Sequence, residues 1–272
     1  MKDFKKKYFY KIVATIVTYE SDIDDVVMTV KTFERQMLDS YIQIVDNNSS
    51  TIYIEKLKKA LLKEMLPTNI LNSQENKGFG FGHNFGIKYS PECDYYLVLN
   101  PDVIIHENTV VELIYFLEKD KTVGLVSPKI LNMDGSIQYL NKRNPTIFDM
   151  FIRRFLPDYF RRFSWIRERL DYYVMADKGY EDLVNIEYMS GCFMLFRKNV
   201  LDAVKGFDEN IFMYLEDADI TRRVNLISRS VYFPFSKITH KWSRGSHHSL
   251  HLTYVTIKSA VYYFRKWGLK VF

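Results

Sequence analysis

Four apolar runs, each about a strand long and each closed by a polar tip, set the terms for what this chain can fold into. They are KIVATIVTY (11–19), YIQIVDNNSS (41–50, apolar as far as Asp46), DYYLVLNPDV (94–103) and GLVSPKIL (124–131). Such runs, rich in Val and Ile, are what strands covered on both faces require. Helix-like segments lie between them at about 22–37, 52–65 and 107–119, the first opened by acids at its positive end. Residues 68–71 read as a short further strand. This alternation predicts an α/β domain with a mostly parallel sheet flanked by helices. Ligands of such sheets sit outside the carboxyl ends of the strands, where Asp46 and Asp102 both fall.

The second half reads differently. Residues 142–175 interleave Arg153, Arg154, Arg161, Arg162, Arg167 and Arg169 with Phe151, Phe155, Phe160, Phe163 and Trp165. EYMSGCFMLF (187–196) reads as a strand, 206–224 as a loop running into a helix, and SVYFPF (230–235) as a short strand. The end, from about His251, is helical with a basic aromatic finish, YYFRKWG (262–268). With no internal repeat and no low-complexity linker, one domain over about 1–250 is expected. Its halves are about 1–131 and 132–250, and a C-terminal helix occupies 251–272.

Composition narrows the function classes. The 272 residues are 47% hydrophobic and 26% charged, ample for a core and far from the signature of disorder. A net charge of +5 favours anionic partners without naming one. Cys93 and Cys192 are far apart with no metal spacing, which suits a reducing compartment and excludes a disulfide scaffold. No stretch approaches a membrane span, and no signal sequence follows the Lys-rich start, so neither secretion nor a transmembrane segment is expected.

Four constellations carry chemistry. NKGFGFGHNFGI (76–87) lacks the last small residue of a dinucleotide fingerprint and does not follow the first strand, which argues against a dehydrogenase. A turn opening a helix, or backbone passing close to a bulky ligand, remain as its readings. In LVLNPDV (97–103), Asp102 projects beyond an apolar strand. A lone acid there is commonly a turn residue, but a hard oxygen ligand also suits Mg²⁺ or Mn²⁺ beside phosphates. YLEDADITRR (214–223) crowds Glu216, Asp217 and Asp219 together. Pairing with a helix dipole explains one or two of them, whereas crowded carboxylates also acquire the raised pKa of a general base. His240, in ITHKW (238–242), is by itself more often a packing residue; with a metal-binding acid elsewhere it becomes a candidate ligand.

Taken in order, VTYES, VDNNSS, NKGFGFGHNFGI, LNPDV, SGCFMLFRKNVLDAVKGFDENIFMYLEDADITRRV and ITHKW resemble the family 2 glycosyltransferases of GT-A fold. The nearest branch is that of the bacterial rhamnosyltransferases, and the resemblance runs from about residue 11 to 267. It implies inverting, metal-dependent transfer from a nucleotide-diphosphate sugar, with residues 1–131 as the nucleotide-binding half. Asp46 then resembles the acid that reads the pyrimidine, with Thr18 and Glu20 in the loop beside it. Gly82 and Asn84 resemble the loop near the diphosphate. Asp102 and His240 resemble the ligands of Mg²⁺ or Mn²⁺, with Asn100 standing where the motif has its first Asp. Asp217 resembles the catalytic base, and Glu216 and Trp242 fall on the acceptor side. The implied donor is dTDP-L-rhamnose, with a UDP-hexose as the alternative. The implied acceptor is a lipid-linked glycan of bacterial surface polysaccharide, met by an enzyme lying peripherally on the anionic cytoplasmic face of the membrane through 151–173 and 258–267. A nucleotidyltransferase would show a basic Gly-rich loop near the first strand, where VTYESDIDD is acidic. Nucleic acid is not an expected partner, because basic charge with interleaved aromatics leaves NPD and EDAD unexplained.

Overall fold

The computed structural model describes residues 9–66, 68–156, 158–241 and 250–272. Asp22 starts the first helix by accepting the backbone N–H groups of Asp24 and Asp25. That helix, α1 (Ile23–Glu34), follows β1 (Phe9–Thr18) and leads to β2 (Ser40–Asp46). Ser50 caps α2 (Thr51–Lys63) in the same way, and β3 (Asn69–Asn72) follows. The glycine-rich stretch is itself helical, forming α3 (Phe79–Tyr89) ahead of β4 (Glu92–Leu99). Then come β5 (Val103–Ile105), α4 (Thr109–Lys119) and β6 (Val123–Leu131).

The Arg–aromatic region folds as α5 (Ile147–Phe155), a 3₁₀ turn and α6 (Ser164–Tyr173). α5 opens with a reciprocal Thr146–Asp149 cap. Beyond it are β7 (Val184–Asn185), β8 (Phe193–Arg197), α7 (Lys198–Ala203), α8 (Glu216–Val224), β9 (Arg229–His240) and α9 (Leu250–Trp267).

The strands form one sheet in the order β3-β2-β1-β4-β8-β6-β9-β5, with β7 on β9. The expected parallel, helix-flanked sheet is its first half: β3, β2, β1 and β4 run together. β8 then enters antiparallel between β4 and β6, and β5 and β7 are antiparallel to β9, so the whole sheet is mixed. Nothing in an apolar run such as FMLFR announces its direction, because strands buried on both faces look alike either way. Two apolar layers cover the sheet. One packs α1, α2 and α4 on β1, β2 and β4, and the other lies beneath α3, α7 and α8.

Two departures from the sequence reading position the site. β9 runs twelve residues, well past the expected 230–235, because its pairing with β6 jumps from Phe233 to Lys237 and then resumes. This irregularity at Pro234 carries His240 opposite Val103. Conversely, only the second part of 187–196 is strand; Tyr188 instead pairs with Lys142, and Gly191 and Cys192 turn at the sheet's edge. The C-terminal helix is docked rather than free: Tyr263 and Phe264 of α9 are buried with Leu215 and Ala218.

Candidate active site

The turn after β4 is held from below by α1. The Thr29 hydroxyl donates to the Pro101 carbonyl and accepts the Val103 N–H, and the Thr32 hydroxyl accepts the Ile105 N–H. Asp102 is thereby fixed facing β9, with its Oδ1 3.3 Å from His240 Nε2. The imidazole's other nitrogen, Nδ1, lies 2.8 Å from Gln138 Oε1. Gln138 Nε2 donates to the His240 carbonyl and to Asn132 Oδ1, which leaves its oxygen as the acceptor. The network places a proton on Nδ1; in the neutral ring the Nε2 lone pair then faces Asp102 and Asn100 Nδ2, 3.4 Å away, whereas a protonated ring pairs its Nε2–H with Asp102. Asp102 Oδ1 is buried without a hydrogen-bond partner among the described residues. In the neutral form the two facing lone pairs would suit a hard cation that takes its other ligands from outside the chain, since no group of three or more His, Cys, Asp or Glu side chains able to hold a metal gathers among the described residues.

At the neighbouring strand tips, Thr18 pairs with Asp46 across β1 and β2. Asp46 is fully buried; its Oδ2 accepts the Ser49 N–H, while its Oδ1 has no partner among the described residues. Thr18 Oγ1 and the Tyr53 hydroxyl are also buried there, near enough to act on each other but without a hydrogen bond of good geometry among the described residues. Tyr53 escapes a reading centred on strand tips, since it reaches the site from α2. Its phenol is pushed up chiefly by burial and further by the Asp46 charge. Glu20 ties the two tips together: its Oε1 accepts the Ser50 N–H at 2.6 Å, and its own N–H donates to Ser49 Oγ at 2.9 Å.

Gly82 and Asn84 sit elsewhere. Gly82 lies inside α3, where a Cβ would come within 2.7 Å of Val17 and 2.9 Å of Asn47. Its glycine is required by close packing of the helix on the sheet. Asn84 is occupied by the 206–209 loop, donating to the Phe207 carbonyl and to Glu209 and accepting the Phe207 N–H. The Asn84 side chain is thus taken up by that loop.

The acidic cluster is set by strain. Tyr214 and Leu215 both adopt left-handed backbone, φ 67° and 72°, just before α8. For non-glycine residues such conformations cost on the order of 1 kcal/mol each. The turn aims Asp217 at Gly191, whose N–H donates to Asp217 Oδ2 at 3.1 Å. Glu216 is turned inward and buried, and burial, followed by the Asp217 charge, raises its carboxyl well above the usual range. Asp219 is fully buried and bonded to Arg223, Lys266 and the Trp267 indole. Trp242 lies outside the described residues.

One dipeptide joins the two groups of acids. Gly191 N–H holds Asp217, and the next carbonyl, that of Cys192, accepts the Asn100 N–H at 2.9 Å. The Cys192 thiol, pushed up to about 12 chiefly by burial, feels Asp102, Lys142 and Asp217 together. The Gly191–Cys192 turn, part of the SGCFMLF stretch, therefore lies between the two groups of acids.

A sequence model of glycosyl transferase family 2 matches residues 14–204. The chain belongs to that family. The match takes in Asp46, Asp102 and the Gly191–Cys192 turn and ends before Asp217 and His240. The rhamnosyltransferase WbbL of Escherichia coli is 28% identical over 165 residues, covering 57% of this chain and 58% of that one. The N-acetylglucosaminyl-diphospho-decaprenol L-rhamnosyltransferase of Mycobacterium tuberculosis is 24% identical over 214 residues, covering 73% and 66%. The chain thus spans about three fifths of the length of the curated relatives it matches. Among solved structures, the mannosyltransferase PcManGT of Pyrobaculum calidifontis, in complex with GDP-Man and Mn²⁺, superposes with a TM-score of 0.65. That likeness covers 96% of this chain and 64% of that one at 14% identity, and it shows the GT-A fold.

Proposed function

We propose that this protein is an inverting glycosyltransferase that moves L-rhamnose from dTDP-L-rhamnose to a hydroxyl of a lipid-linked glycan. The observation that carries this is the convergence of Asp217 with the Asp102–His240 pair across the Gly191–Cys192 turn. Asp46 Oδ1, buried and lacking a donor, suits the imide N–H of a pyrimidine, with Thr18 and Tyr53 supplying hydroxyls beside it. Asp102 and His240 would hold Mg²⁺ or Mn²⁺; when bound, that ion supplies positive charge beside the donor diphosphate. Asp217 accepts the proton of the acceptor hydroxyl as its oxygen attacks the anomeric carbon on the face opposite the diphosphate. A single displacement inverts the configuration and requires no nucleophile from the chain. Asp219, saturated by three partners, is not available for this role.

The rhamnosyl donor is supported by the names of two relatives. Asn100 agrees with it, because one fewer carboxylate at the tip suits a deoxyribose with fewer hydroxyls to engage. Peripheral attachment to the cytoplasmic face of the membrane, in bacterial surface polysaccharide synthesis, rests on Phe151, Tyr159, Phe160, Phe163, Trp165 and Tyr172, all exposed beside arginines. No described helix is long and apolar enough to cross a membrane. The end of α9 contributes less to such a surface than its sequence suggests. Tyr263 and Phe264 are packed inward, and Lys266 and Trp267 are engaged with Asp219.

Melting shifts with Mn²⁺ across dTDP-rhamnose, UDP-hexoses and GDP-sugars test the donor. The largest shift is expected from dTDP-rhamnose, and clear preference for a UDP-sugar would overturn that assignment. Asp102→Ala should abolish transfer while leaving unfolding cooperative. Release of pyrophosphate instead of nucleoside diphosphate would make the chain a nucleotidyltransferase.

A further inference from the structure

Lys142 carries a buried charge that has no ion pair among the described residues. Its backbone is fixed by two hydrogen bonds to Tyr188, and its side chain is only 9% exposed. The ammonium lies 4.3 Å from the centroid of the Tyr188 ring. No described carboxylate comes within ion-pairing distance of it, although Asp217 and Glu216 are near enough to attract it and Arg153 to repel it. Burial lowers its pKa to about 8. A methionine would pack on Tyr188 equally well without the cost of desolvating a charge. The positive charge therefore points to an anionic ligand.

Its neighbours say which one. Tyr188, beneath the ammonium, packs with Leu215 and Ala218 on either side of Asp217 and Glu216 and with Met150 of α5, so Lys142 stands on the acceptor side, where Arg153, Asp217 and Glu216 act on it. The nucleotide-side groups Thr18, Asp46 and Tyr53 lie on β1, β2 and α2. Resting on the reading of Asp217 as base and of a lipid-linked acceptor, we infer that Lys142, with Arg153 beside it, binds the acceptor's own phosphate. An acceptor whose attacked sugar is joined directly to a diphosphate presents that anion one ring away from the hydroxyl at Asp217. A charge-assisted contact there would select sugars bearing a phosphate over the same sugars on a neutral aglycone.

The test uses the full chain, dTDP-L-rhamnose and two synthetic acceptors, an alkyl diphosphoryl N-acetylglucosamine and the neutral alkyl N-acetylglucosaminide. Wild type should favour the diphosphoryl acceptor in kcat/KM. Lys142→Met should raise KM for that acceptor roughly 10–100-fold, so that the preference collapses, while Lys142→Arg restores most of it. Circular dichroism and a cooperative melt establish that both variants fold. If Lys142→Met lowers kcat equally on both acceptors, the lysine tunes Asp217 and the inference fails. If donor KM rises instead, the ligand is the donor diphosphate and the inference again fails. A wild type that prefers the neutral acceptor, or uses neither, removes the lipid-diphosphate reading itself. A wild-type preference that survives in Lys142→Met removes only the role of Lys142.

Discussion

The nucleotide edge and the acceptor side of this molecule are built by different means. On the nucleotide edge, Thr18 and Asp46 are set by the register of two buried parallel strands, and Asp46 Oδ1 is left without a partner among the described residues. On the acceptor side, Asp217 is set by two consecutive left-handed residues and one loop N–H, and Lys142 is a buried ammonium over an aromatic ring, without an ion pair among the described residues. A strand tip delivers a side chain at no local cost. The acceptor side stores strain and desolvated charge in its loops, which functional sites commonly do at the expense of stability. If the proposed function holds, the difference implies that the nucleotide edge belongs to the fold, whereas the acceptor side is specific to what this chain acts on.

The largest expected effect separates two neighbouring acids on α8. Asp217→Asn keeps the hydrogen bond from Gly191 within reach but removes the base, and transfer should fall roughly 10²–10⁴-fold. Donor binding, read by melting shift, should persist. Asp219→Asn should act on stability instead, because it breaks a buried cluster with Arg223 and Lys266; such losses run about 3–5 kcal/mol. Turnover per folded molecule should change far less than for Asp217→Asn. If Asp219→Asn costs more turnover than Asp217→Asn, the strained turn aims a different residue and the contrast drawn above dissolves.

A smaller effect is expected at the metal pair. Gln138→Leu removes the acceptor that keeps the His240 proton on Nδ1, so Nε2 should present its lone pair less often. Loss of such a supporting contact weakens metal affinity roughly 10–100-fold. The apparent Mn²⁺ requirement of transfer should rise accordingly, and kcat should recover at saturating Mn²⁺. Asp102→Ala should not recover in this way. An unchanged Mn²⁺ requirement in Gln138→Leu would show that the ring is held by β9 alone.

These residues also show what a sequence can disclose. Asp46 and Asp102 were legible because a buried strand ends where its apolar run ends, and the tip of a parallel strand faces the ligand crevice. Asp217 was legible through its crowding with other acids and its resemblance to a family motif. The resemblance also set it apart from Asp219, but the physical reason was not legible, because that depends on Lys266 and Trp267 returning from α9, some 48 residues away. Gln138 and Lys142 carry no local signal. Each acquires its meaning from a partner brought in by the sheet order, His240 across β6 and β9 and Tyr188 across the bridge to 142. At Gly82 and Asn84 the reading of a turn that opens a helix holds, and the helix is pressed against β1. The direction of β8 was hidden, since burial on both faces erases the pattern that would reveal pairing.

The smallest effect tests that same glycine-rich helix, beneath the nucleotide edge. His83 of α3 is fully buried, its ring 4.5 Å from Phe79 and 5.7 Å from Phe207, with neither nitrogen hydrogen-bonded among the described residues. Burial lowers its pKa from the ordinary 6.5 to about 3. Between those values the unfolded chain binds a proton that the folded chain does not, so stability rises with pH through this window and is fully present above it. As the pH falls to 5.5 the loss should reach about 1.4 kcal/mol, growing by a similar amount per further unit. His83→Leu cannot take up the proton in either state, and it fills the space between Phe79 and Phe207 with an apolar group. Urea unfolding of the two proteins at pH 7.5 and 5.5 isolates the residue from every other acid-sensitive group. The variant should lose less stability than wild type by about 1.4 kcal/mol across that interval. Equal losses in both proteins would mean that the folded state admits a proton at His83, and that the packing of α3 against Phe207 yields more readily than its burial indicates.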